Sequence, residues 1–120
     1  MQSQTGRGLV LIVEDPLIQR FVGGILKRGG RLVVEADGDG ALQILRAGET
    51  AVALLITNQP ARFLDFAGTL PLLYIAAFPD PALADRFHRC RMLRKPFAPV
   101  DLMACAVELA PPEGPAGAPL

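Results

Sequence analysis

Tryptophan is absent from this chain, tyrosine and histidine occur once each, and cysteine occurs twice. A lone histidine, His88, cannot by itself build an imidazole metal centre, and a surface position is expected for it. Cys90 and Cys105 form neither a metal-ligand spacing nor a staple framework, so a reducing compartment and two small core residues are expected. A redox role would require them to meet across the fifth strand and the last helix. Neither sign of charge is in excess: 12 Lys and Arg balance 12 Asp and Glu. Overall charge therefore gives no reason to expect wholesale binding to nucleic acid or membrane. Long hydrophobic runs are missing too. The stretches around Leu70 to Pro79 and Met103 to Val107 are far short of a membrane span, and Leu9 to Val13 is too short for a secretory core. What is present is 120 residues at 51% hydrophobic content, enough for one core in one domain, expected to be soluble and cytoplasmic.

Along the chain, residues 1–8 read as a flexible lead-in and 111–120 as a disordered Pro/Gly tail, with the domain at 9–110. Leu9 to Val13 is a continuous aliphatic run, as in a parallel strand covered on both faces. Glu14 and Asp15 end it, with Asp15 as a cap and Pro16 in the first turn of a helix. Leu17, Phe21, Ile25 and Leu26 recur there at helical spacing, and Gly29-Gly30 is the stop. Arg31 to Ala36 reads as a second strand, Ala41 to Ala47 as a helix after a turn at 37–40, Ala51 to Thr57 as a third strand, and Pro71 to Ala77 as a fourth. Asp80-Pro81 opens a helix expected to reach Arg89. Cys90 to Arg94 is a fifth strand, and Pro99 opens a last helix to Ala110. Only thirteen residues separate Thr57 from Pro71, too few for a comfortable crossover helix with two loops.

The stretches LIVEDP (Leu11 to Pro16), LLYIAAFPDP (Leu72 to Pro81) and RKPF (Arg94 to Phe97) resemble the response-regulator receiver domain of two-component signalling. The likeness covers roughly residues 8 to 110. It implies an α/β fold of flavodoxin type: a doubly wound, five-stranded parallel sheet in order 2-1-3-4-5, here with a shortened or missing third helix. It also implies the family's chemistry, in which a histidine kinase passes a phosphoryl group to an aspartate at the end of strand three beside a divalent ion. Carried over by position, Glu14 and Asp15 are the metal-binding acids and Lys95 is the lysine near the phosphoryl oxygens. Pro96 follows that lysine across a bond that the family often has in the cis form.

Three positions depart from the pattern together. The acceptor position is Asn58, which has no carboxylate nucleophile. The hydroxyl position after strand four is Ala76, and the aromatic switch in strand five is Met92. The chain therefore reads as a degenerate pseudo-receiver: a phosphorylation-independent regulatory or protein-interaction module, and not an enzyme. No cofactor is required. Weak magnesium binding at Glu14 and Asp15, helped by an Asn58 amide oxygen, stays open beside the plainer reading of Asp15 as a helix cap. Lys95 is expected to pair with one of the two acids.

Two other readings carry less. An active receiver with an atypical acceptor would have Asp65, the other acid of the shortened loop, as its candidate. A small metal-assisted hydrolase lacks a serine elbow and a glycine-rich phosphate loop. The marked charge asymmetry is the run from Arg86 to Lys95, with five basic residues and no acid. Without an aromatic platform it argues against nucleic acid and for a protein partner or homodimer. In receivers the fourth-helix, fifth-strand and fifth-helix face is a usual dimer surface. Arg86, Arg89 and Arg91 are expected there, with Asp101 and Glu108 as charged partners and Met103 and Val107 as apolar contacts.

Overall fold

The structure, a computed structural model, describes residues 8–112, so the expected lead-in and tail fall almost wholly outside the described residues. Five strands form one sheet: β1 (Leu9–Val13), β2 (Val33–Glu35), β3 (Val52–Thr57), β4 (Leu72–Ala76) and β5 (Cys90–Arg94). Their order is β2-β1-β3-β4-β5 and every neighbouring pair is parallel. The helices are α1 (Pro16–Arg28), α2 (Gly38–Ala47), a one-turn α3 (Pro81–Ala84) and α4 (Pro99–Leu109). None is long and apolar enough to cross a membrane among the described residues.

The aliphatic runs of the three central strands are explained by two cores, one on each face. Strand periodicity sends Val10, Ile12, Leu54, Ile56, Leu73 and Ile75 to the side of α1 and α4. Leu11, Val13, Leu55, Leu72 and Tyr74 go to the other side. Each fully buried aliphatic side chain contributes about 1.5–3 kcal/mol of transfer free energy. A one-residue slip in register would exchange the two sets.

Helix α1 departs from the expected facing. Ile25 and Leu26 are buried with Val22 and Gly23, whereas Leu17 is 79% and Phe21 47% exposed. The stripe that meets the sheet is Ile18, Val22, Ile25 and Leu26, which turns Leu17 and Phe21 outward. Phe21 instead meets the Phe97 ring, centroids 6.0 Å apart. At the helix end Gly29 lets Met103 lie close, since a β-carbon there would stand 2.7 Å from the Met103 Cε. Met103 is therefore turned inward against α1, not outward as expected, and Val107 is the exposed one at 41%.

The cramped connection after β3 forms no α-helix. Pro60–Phe66 is a 3-10 stretch kinked at Phe63, whose ring is fully buried. A second shortening was not legible beforehand. The helix expected to reach Arg89 stops at Ala84, because Phe87 drops into the core and His88 N donates to Ala67 O at 2.8 Å. Arg86 and Arg89 thus lie on an irregular segment and not on a helix. Cys90 packs on the α2 side of the sheet and Cys105 on the α1 and α4 side. Both are free thiols on opposite faces, so the meeting that a redox pair needs does not occur.

Candidate functional site at the carboxyl edge of the sheet

In a doubly wound sheet the ends of parallel strands bring their following residues to one edge. Here β1 delivers Glu14 and Asp15, β3 delivers Asn58, β4 ends on Ala76, and β5 leads into Lys95. Gln19 of α1 braces this edge, its Nε2 donating to Ile12 O at 2.8 Å and Ala36 O at 2.9 Å. The Lys95 backbone N donates to Ala76 O at 2.9 Å, and the Lys95-Pro96 peptide is cis.

Lys95 Nζ donates to Glu14 Oε1 at 3.2 Å, so the expected pairing is with Glu14. The Glu14 side chain has no exposed surface and Lys95 is 23% exposed. Oε1 also accepts from Asp15 N at 3.3 Å, while the buried Oε2 has no hydrogen-bond partner among the described residues. Burial pushes the Glu14 carboxyl above its ordinary value of 4.5, and the Lys95 charge and hydrogen bond only partly offset this.

Asp15 is exposed, and its side chain makes no hydrogen bond to the start of α1. That corrects its reading as a side-chain cap; its carbonyl O accepts from Gln19 N at 2.7 Å instead. Glu14, Asp15 and Asn58 line one open hollow of about 190 Å³ with Asp37, Gly38, Gln59 and Arg62. Asn58 is half-buried there, and the preceding Thr57 is a buried polar residue whose Oγ1 accepts from Gln59 N at 3.0 Å. Asp65 is exposed and does not line the hollow.

Arg62 and Gly38 are among the members that sequence reasoning missed, with Asp37 and Gln59. The Arg62 Nη2 donates to Asp39 Oδ1 at 2.8 Å. Its guanidinium lies on Gly38, where a β-carbon would overlap Nη1. Arg62 is the one cation between Asn58 and Leu70. That was the available signal, but its target on α2 is distant in sequence.

A divalent ion does not fit this donor set. Such an ion takes several converging oxygens, and the described residues contain no cluster of three metal-binding acids, histidines or cysteines. One oxygen of Glu14 is already committed to Lys95, and a guanidinium lines the same hollow.

The basic region lies apart from this edge. Met92 is 44% exposed and lines a separate hollow of about 400 Å³ with Ala84, Asp85, Phe87, His88, Cys90 and Arg91. Arg91 Nη1 stands 2.5 Å from Glu108 Oε1 and 2.7 Å from Oε2, and Arg89 Nη2 donates to Glu108 O at 2.8 Å. Glu108 is thus paired within its own chain. Arg94 stacks over Phe78, 5.7 Å from the ring centroid. Asp101 is exposed in the first turn of α4, and Arg86 makes no ion pair among the described residues.

Neither a protein-family model nor a curated relative matches the sequence. Solved structures do match in fold. A response regulator receiver protein from Burkholderia phymatum superposes with a TM-score of 0.73 at 23% identity, covering 94% of this chain and 99% of that one. One from Sinorhizobium medicae gives 0.69 at 16% identity, covering 86% and 94%. The chemotaxis response regulator CheY4 of Vibrio cholerae gives 0.68 at 18% identity, covering 85% and 98%. The chain has the flavodoxin-like receiver fold, with its third helix replaced by a 3-10 stretch.

Proposed function

We propose that this chain is an interaction module of a two-component signalling system that works without phosphorylation. The observation that supports this most is Asn58. It follows β3 beside Glu14 and Asp15, where the receiver pattern requires an aspartate. A carboxamide has no carboxylate oxygen to attack a phosphoryl donor. The rest of the edge agrees: Lys95 is engaged by Glu14, Ala76 offers no hydroxyl, and Met92 offers no ring. No cofactor is needed on this reading, and no catalytic step is assigned.

The partner is a protein or a second copy of the chain, meeting the side formed by α3, β5 and α4. Arg86, Arg89 and Arg91 supply positive charge, Asp101 the opposite sign, and Val107 and Met92 exposed apolar surface. Glu108 contributes by holding Arg91 in place and not by reaching across. A second contact surface is favoured by the apolar hollow of about 450 Å³ between α1 and the β5–α4 turn, lined by Ile18, Phe21, Pro96 and Phe97 beside Lys95.

Intact-mass measurement after acetyl phosphate and magnesium, with rapid acid quenching, tests the main reading. The expected result is no mass change. A stoichiometric gain of about 80 Da that disappears in Asp65→Asn would overturn it and promote an atypical acceptor.

A further inference from the structure

The acidic hollow has a cation of its own, and it comes from the shortened segment after β3. We propose that Arg62 is the resident counter-ion of this hollow and sets its cation selectivity by occupying the ground a divalent ion would need. Three observations converge on this. Three acids, Glu14, Asp15 and Asp37, are among the residues lining the hollow, and Asp15 is exposed with no side-chain hydrogen bond to α1, so the site carries more negative than positive charge. Arg62 lines the same hollow and its guanidinium is paired at the surface with the exposed Asp39, at 2.8 Å. Gly38 at the start of α2 is buried and carries no side chain where the guanidinium rests, so the two positions are sterically matched.

A guanidinium is well suited to the role. It stays charged at any working pH, is weakly hydrated, and spreads one charge over a planar fork. A divalent ion entering the hollow would face this charge at short range. The ion would bind favourably only after the Arg62–Asp39 pair opened, and that cost is subtracted from its affinity. The cation is presented by the 3-10 stretch that connects β3 to β4.

The test is magnesium titration of the 15N-labelled chain, following the amides of Glu14, Asp15 and Asn58, with Mn²⁺ broadening of the same amides as a second readout. Arg62→Ala is expected to lower the Mg²⁺ Kd at least tenfold relative to wild type. Gly38→Ala keeps every charge but displaces the guanidinium, because a β-carbon there would overlap Nη1, and it is expected to shift the Kd in the same direction. Thermal melts of both variants establish that they are folded. Equal Mg²⁺ affinity in wild type and Arg62→Ala would overturn the proposal, as would saturation of wild type at submillimolar Mg²⁺ with the Arg62 side-chain resonance unmoved. Neither result bears on phosphoryl uptake, which is read separately by mass.

Discussion

Lys95 Nζ lies 3.2 Å from Oε1 of Glu14, joining the turn after β5 to the end of β1 across the middle of the sheet edge. The carboxylate is buried and the ammonium is its one charged hydrogen-bond donor among the described residues. The pair is therefore judged by what happens when one member is lost. Lys95→Met is expected to destabilise the fold by up to about 3 kcal/mol at neutral pH, because it strands a buried carboxylate. It should also raise the Glu14 midpoint further. Urea unfolding with carboxyl-detected NMR checks both.

The same carboxyl fixes a pH dependence. The folded chain holds the Glu14 proton more tightly than the unfolded chain does, since its pKa lies above 4.5. The stability from this difference is fully present below pH 4.5 and is lost as pH rises through the folded midpoint. Glu14→Gln should flatten that part of a urea-midpoint profile.

Asn58→Asp is expected to add a carboxylate without restoring a switch. Shifts after phosphodonor treatment should stay around the hollow, since Ala76 and Met92 lack the hydroxyl and ring that carry the family's change outward. A shift map reaching Arg86 to Arg91 would show coupling without those groups.

The shortened segment should be structural and not a loose loop. Phe63 is fully buried in it, so Phe63→Ala is expected to cost about 3–5 kcal/mol. A change within about 0.5 kcal/mol in denaturant unfolding would contradict the packing described.

Cys90 should be a sluggish nucleophile. Burial, followed by the Asp85 charge, pushes its thiol up to about 11. Its alkylation rate by iodoacetamide, followed by mass, should keep rising well past the ordinary thiol range of about 8–9.

Association through the basic side should weaken with salt and with Arg89→Glu, while the thermal melt stays that of a folded domain. Sedimentation across protein and salt concentration decides this. A chain that stays monomeric at high micromolar concentration and recovers no partner would leave the side as solvated surface.

The sequence by itself determined the sheet. Aliphatic runs at Leu9–Val13, Val52–Thr57 and Leu72–Ala76, each closed by polar or turn residues, can be buried on two faces only as central parallel strands. Glu14, Asp15, Asn58 and Lys95 were legible through the resemblance of their motifs to the receiver pattern, and strand ends in such a sheet bring them to one edge. Which way the partly apolar elements face was decided by tertiary packing. Leu17 and Met103 have similar hydrophobicity, yet Ile18 and Val22 claimed the sheet side of α1, and Gly29 opened a place for Met103. Tertiary packing also ended α3 at Ala84, where a buried Phe87 outweighed a capped helix start. It brought Arg62 onto Gly38, a contact invisible to periodicity because it joins the segment after β3 to the start of α2. Local pattern records what a residue prefers to bury, whereas a contact between distant segments exists only once the chain has closed around it.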